Sequence, residues 1–381
     1  MDFDFTEEQR MLKDSVERLV AERYDFEQRN AYLATPDGWS RELWSIYADM
    51  GLLALPFAEG DGGLGGGPVD TMIVMEAIGR GLVLEPYFAT VILAGSCLRI
   101  GATHPQRAEL IPAMAAGELL MSLAHGESQA RYDLANVCTT ARREGDQWIL
   151  DGSKRFVLHG DSANKLLVSA RVGGAQRDRD GLALFLVDAH APGVTRRGYL
   201  TQDRLRAADV QLANVRISDA ERIGEAGGAL PIIEQAVDQA LAALCAEAVG
   251  VMAKAHELTV DYLKARKQFG VSIGSFQALQ HRAVDMLVMI EQARSMALFA
   301  TMMADDPDPV ERGKAMSAAK VQIGKSARYI GEQAVQLHGG IGVTEECHAG
   351  HYFRRLTMLE LLLGDTDHHL AVLARRGGLF T

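Results

Sequence analysis

Apolar positions fall into three regimes along the chain. Up to about residue 118 they recur at steps of three and four in short blocks, the spacing of amphipathic helices. Thr6 followed by Gln9 predicts a capping box for a helix running to about Tyr24, and Ser40 can cap a second over 41–50 that stops at Gly51. Pro68 suits the first turn of a third over 69–79, Pro86 opens a fourth through Cys97, and a short fifth covers 108–115. From about Ser122 the apolar runs shorten and alternate: 137–141, 147–150, 156–158, 166–170, 183–187, 194–197, 210–212 and 215–217. Gly145-Asp146 and Asp151-Gly152 are hairpin signals inside this stretch, which ends near Gly224. Beyond Ala229 the helical period returns in four long pieces, about 229–265, 276–304, 309–338 and 354–375. Met286, Ile290, Ala293 and Ala297 step along one face of the second piece, the pattern of a bundle.

The expected fold is therefore α+β: an N-terminal helical domain (1–120), a central β-barrel or sandwich domain (121–225) and a C-terminal four-helix bundle (226–381). A chain of 381 residues with 48% apolar and 23% charged residues has the size and composition for this. A net charge of −11 argues against a nucleic-acid partner, which needs a basic face, while leaving room for a local basic site. Cys97, Cys138, Cys245 and Cys347 make no CxxC or zinc spacing, so reduced thiols in the cytoplasm are expected. The acidic start MDFDFTEEQR lacks the order of a signal peptide, and no run of about 18 apolar residues suggests a membrane span.

Several features read as ordinary structure. The run Gly62-Gly-Leu-Gly-Gly-Gly67-Pro68 follows no βαβ strand and has Pro where a dinucleotide fingerprint needs its last glycine, so a tight chain reversal is expected. The acids of 305–309 crowd a Pro-rich corner rather than space out as metal ligands. His368 and His369 are adjacent, so their side chains are expected to diverge on a helix, as a surface or interface pair rather than a metal site.

Chemistry concentrates at 261–286, where one long helix breaks and another restarts near Phe276. Arg266, Gln268, Phe269, Ile273, Phe276 and Gln277 lie at this corner. A guanidinium fork, amides and aromatic faces suit a large anionic ligand with a flat ring. Arg266-Lys-Gln-Phe269-Gly270, Ile273, Phe276-Gln277-x-x-Gln280-His281 and Asp285-Met286, followed by Gln336-Leu-His338-Gly339-Gly340-Ile-Gly342, resemble the acyl-CoA dehydrogenase family. The resemblance extends from an amino-terminal Asp-Phe-x-x-Thr-Glu-Glu-Gln to the Arg-rich segment near the end, and within the family it is most similar to the small subunit of pimeloyl-CoA dehydrogenase. It implies FAD as cofactor, an acyl-CoA substrate and an electron-transferring flavoprotein as acceptor. It also implies an oligomer in which Arg266, Gln268, Phe269, Ile273, Phe276, Gln277, Gln336, Gly339 and Gly340 complete a neighbour's FAD site, in a homodimer, a tetramer or a heteromer with a related chain.

The same resemblance puts Phe156 and Leu158 where relatives commonly have flavin-contacting Trp and Thr, and His125 within a segment that usually reads Thr-Glu-Pro. Most relatives carry a glutamate near the C-terminus that removes the substrate's α-proton. Here Leu363 takes its place, leaving only a backbone N–H to polarise the thioester carbonyl, with Asp365 two residues further on. Two readings follow. Glu247, the only charge between Gln239 and Ala253, is the relocated base, because a lone carboxylate on an apolar helix face is costly unless paired or used. Alternatively Glu247 is a buried structural acid paired with Lys254 or an Arg, and the chain is a non-catalytic subunit that completes a partner's FAD site.

Overall fold

A computed structural model describes residues 5–378; Asp2 and Phe3 of the amino-terminal motif lie outside the described residues. Six α-helices come first: α1 Glu7–Arg23, α2 Phe26–Leu33, α3 Arg41–Asp49, α4 Pro68–Gly81, α5 Gly95–Gly101 and α6 His104–Ala115. Eight strands follow: β1 Met121–Ala124, β2 Thr140–Glu144, β3 Gln147–Leu158, β4 Lys165–Arg171, β5 Leu182–Asp188, β6 Val194–Leu200, β7 Arg206–Ser218 and β8 Arg222–Ile223. Then come α7 Ala229–Ala265, the two-residue strands β9 Lys267–Gln268 and β10 Val271–Ser272, α8 Gln277–Met303, α9 Pro309–His338, α10 His348–Leu361 and α11 Thr366–Arg375. This is the helical, β-rich and helical order expected of the sequence.

Local chemistry sets the boundaries. Thr6 and Gln9 close the capping box that starts α1, Ser40 caps α3, and Pro68 occupies the first turn of α4. Asp308 caps α9 from the corner of acids, and no cluster of metal-ligating side chains occurs there or elsewhere among the described residues. In the glycine run, a Cβ at Gly63 would overlap the Phe57 carbonyl, so the reversal leaves no room for a side chain at that position.

Four expectations need correction. Asp151-Gly152 is no hairpin: β3 runs straight through it against β7, absorbing the irregularity as a register shift between Leu150 and Gly152. The helix after Pro86 begins as a π-helical turn, Phe88–Ala94, before continuing as α5. The last helix is two, because Leu363 (φ +58°) and Gly364 (φ +120°) leave helical space between α10 and α11. His368 and His369 do not diverge: their rings meet edge to face at 5.0 Å and His369 is buried.

The described chain forms two compact units, one of 5–31, 68–83 and 241–378, the other of 32–67 and 84–240. The second holds the β sheet, in strand order β6-β7-β3-β2-β4-β5-β8 with β1 pairing β4. Alternate residues of these strands, among them Leu150, Val157, Leu166, Val168, Phe185, Val187, Val210 and Leu212, form its core. In the first unit α9 packs on α8, α10 and α11, and Met286, Ile290, Ala293 and Ala297 of α8 face inward as their spacing predicts. α7 is long and apolar enough to cross a membrane, but most of its apolar stretch is buried inside the fold. Against it α4 approaches at backbone distance: a Cβ at Gly250 would overlap the Glu76 carbonyl, and one at Gly79 the Glu247 carbonyl.

Candidate active site

Three groups of residues bear on function, two in the helical unit and one in the β unit. The first is the corner after α7. The helix ends at Ala265, where the Ser272 hydroxyl donates to the carbonyls of Leu263 and Lys264 at 2.8 and 2.9 Å. The chain then forms a two-strand hairpin, Lys267 pairing with Ser272 and Gln268 with Val271, whose turn needs Phe269 at φ +54° and Gly270 at +82°. Phe269 is left 91% exposed, 6.2 Å from the Phe276 ring, which is itself exposed. Arg266, Gln268 and Gln277 are exposed beside them, with Ile273 partly covered.

The end of α9 lies next to this corner, because the Tyr262 ring stacks on His338 at 4.5 Å. Gln336, Gly339 and Gly340 are exposed there, and a Cβ on either glycine would meet nothing within 4 Å. The structure thus gathers the nine residues of the two sequence segments onto one exposed edge. A permanent cation, amides, two phenylalanine faces and open backbone fit the phosphates and rings of a dinucleotide. The fit rests above all on Phe269, whose ring would gain roughly 1.5–3 kcal/mol on burial.

The second group surrounds Glu247. Its Oε1 accepts from Arg355 Nε at 2.6 Å, both side chains being buried, while no hydrogen-bond partner meets Oε2. The basic partner weighed from sequence is thus Arg355, and Lys254 pairs instead with Glu257. Glu247 lies where α4 crosses α7, about 200° around the helix from Cys245. Cys245 faces Lys320, and Lys320 is bonded to Gly364 beside Leu363. The carboxylate is engaged on α10, at Arg355. Asp365 caps α11, accepting from the His368 N–H at 2.8 Å, so its carboxylate meets backbone.

The third group is in the β unit. Phe156 sits at a bulge of β3 with φ +56° and is 39% exposed, with Leu158 half-buried two residues on. Behind them Lys154 is wholly buried and donates to Glu127, Ser169 and the His125 carbonyl at 2.7, 3.0 and 3.2 Å. Burial works against a charged Glu127. The Lys154 ammonium, with hydrogen bonds from Lys154, Thr139 and Gln129, nevertheless brings its carboxyl down to about 2. The His125 ring is engaged by Ser169 at 2.9 Å and by the Leu134 backbone; burial, then the Lys154 charge, lower it to about 3, so it is neutral. His125, a candidate for cofactor contact by its place in the sequence, is thus engaged by Ser169 and Leu134 within the protein. Sequence reasoning missed this network, because Lys154 stands between Ser153 and Arg155 and Glu127 beside Ser128 and Gln129, where nothing marks either as buried.

A helical segment, a β-rich middle and a helical bundle, with an exposed cation and aromatic corner, define a flavin-dependent dehydrogenase of acyl thioesters. The chain belongs to the acyl-CoA dehydrogenase family: residues 6–118 match its N-terminal domain, 122–215 its middle domain and 227–378 its C-terminal domain. It is an FAD-dependent oxidoreductase acting on acyl-CoA. It is similar to the probable acyl-CoA dehydrogenase YngJ of Bacillus subtilis, 27% identical over 381 residues and 99% of each chain. Among solved structures it resembles a variant of the Tcur3481–Tcur3483 steroid ACAD, with a TM-score of 0.87, 29% identity and 97% of each chain covered. It also resembles the ChsE4–ChsE5 complex of Mycobacterium tuberculosis, with a TM-score of 0.87, 25% identity and 98% of each chain covered.

Proposed function

We propose that this chain is one subunit of an acyl-CoA dehydrogenase assembled with a related chain, and that the related chain supplies the base for forming a 2,3-enoyl-CoA. The observation that carries this is the pairing of Glu247 with Arg355 in a chain whose terminal base position is Leu363. Bound FAD supplies an acceptor for the hydride that leaves the β-carbon. The α-proton must go to a carboxylate with a free oxygen at the thioester. Glu247 Oε1 is taken by Arg355, Asp365 caps a helix, and the Leu363 side chain has no acceptor.

On this reading Arg266, Gln268, Phe269, Ile273, Phe276 and Gln277, with Gln336, Gly339 and Gly340, complete the FAD site of the neighbouring chain. The exposed Phe269 ring supports it, because a phenylalanine held in water by a positive-φ turn is stable company only for a partner surface. The resemblance to a small subunit and to two structures named for paired chains points the same way. Phe156 and Leu158 keep apolar surface toward a flavin without a side-chain donor. Anaerobic addition of a panel of acyl-CoAs to the purified chain tests the proposal. The flavin band should stay unbleached until a related chain purified from the same source is added; bleaching by the chain alone overturns it.

A second reading has one observation in its favour: Glu247 Oε2 is buried without a partner. If that oxygen takes the proton, Glu247→Gln retains FAD and acyl-CoA but slows flavin reduction by about 10²–10⁴.

A further inference from the structure

The link between α10 and α11, where relatives carry their glutamate, is held from below in an unusual way. Two of its carbonyls, and one in the last turn of α10, are taken up by two buried side chains. Lys320, 1% exposed on α9, donates to the carbonyls of Glu360 and Gly364 at 2.8 and 2.7 Å. His369, buried on α11, places Nε2 3.2 Å from the Leu363 carbonyl and Nδ1 3.2 Å from the Ser317 hydroxyl. A carbonyl can only accept, so Nε2 carries the proton, and Ser317 donates to Nδ1. Leu363 and Gly364 adopt left-handed backbone that a leucine resists and that only glycine adopts freely. A Cβ at Gly364 would overlap His369, so the fit is specific to this pair.

Across a planar trans peptide the N–H points opposite to the C=O. With the Leu363 carbonyl turned to His369, the Gly364 N–H is turned away from it. No acceptor among the described residues meets the Leu363 or the Gly364 N–H. We propose that Lys320 and His369 are positioning residues, fixing the 362–365 link so that its peptide donors face the carbonyl of an acyl thioester. This rests on the second reading above, in which the chain itself binds acyl-CoA. The charge environment suits a pin: burial draws the Lys320 ammonium down to about 8, while Cys245, Glu360 and Asp365 hold it up. His369 stays neutral, lowered to about 3 by burial and then by Lys320 and His368.

Three variants of the FAD-loaded protein test this: Lys320→Met, His369→Leu and His369→Gln, the last keeping an N–H donor. Lys320→Met and His369→Leu should speed amide exchange at 363–364 and weaken acyl-CoA binding by about five- to tenfold, the worth of one ordinary hydrogen bond. The flavin-to-protein absorbance ratio should stay at the parental value, and His369→Gln should behave like the parent. Faster exchange with parental acyl-CoA affinity would overturn the positioning role, and unchanged exchange in both variants would overturn the pin. If Lys320→Met does not fold, the two His369 variants decide alone. A parent that binds no acyl-CoA removes the thioester from the proposal, while the exchange data still decide whether Lys320 and His369 hold the link.

Discussion

Replacing Arg355 by methionine is the sharpest perturbation available. The guanidinium Nε lies 2.6 Å from Glu247 Oε1, with the two side chains 8% and 4% exposed, so water cannot replace the lost partner. A buried carboxylate stripped of its cation costs about 3–5 kcal/mol. That is a large share of the 5–15 kcal/mol that typically holds a domain together. Removing both charges, Arg355→Met with Glu247→Leu, leaves an apolar contact of similar volume and should recover most of the loss. Guanidinium unfolding of the FAD-loaded parent, the two single variants and the double variant completes a cycle whose coupling should be at least about 2 kcal/mol. The reasoning fails if Arg355→Met unfolds within about 1 kcal/mol of the parent. It fails equally if Glu247→Gln is fully stable yet no longer reduces flavin, for then the carboxylate serves chemistry rather than packing.

Other consequences are open to measurement. Arg266→Ala should weaken FAD binding by roughly 1.5–3 kcal/mol, the worth of a charge-assisted hydrogen bond, with an unchanged far-UV spectrum; full flavin occupancy would remove Arg266 from the site. Light scattering of the purified, yellow protein should give a mass above that of one 41.4 kDa chain, since a monomer that retains FAD contradicts a shared site. Glu127 is held at about 2 in the fold and rises to an ordinary carboxyl value when unfolded. Its contribution is therefore complete above pH ~4.5 and is lost as pH falls toward 2. Acid unfolding of the β unit should lose that dependence in Glu127→Gln.

Much of this architecture was legible because local chemistry and tertiary packing agree. Thr6, Ser40 and Pro68 start helices where their side chains dictate, and the four-residue steps of Met286 to Ala297 give the inward face of α8. The misreadings fall where a distant partner decides. Asp151-Gly152 has hairpin chemistry, yet the thirteen-residue β7 opposite holds β3 extended through it. The break at Leu363 carries no proline, and its glycine gives no hint that Lys320 and His369 will bind the adjoining carbonyls. Glu247 stood out as a lone charge for which an arginine partner was one of two readings, but which arginine was hidden, because Arg355 lies 108 residues away. The sequence also gives no sign of what surrounds His125, since only the fold brings Ser169 and Leu134 to its ring.

The bare ring of Phe269 also bears on how such a protein comes into being. A chain newly released from the ribosome carries this ring, with Phe276 beside it, facing water from the moment its hairpin closes. Its own folding does nothing to hide them. If a companion subunit and its cofactor cover them, as proposed above, the interval during which they remain sticky is set by the supply of both. On that proposal, synthesis in isolation lengthens the interval and invites clumping, whereas matched production of a related chain shortens it.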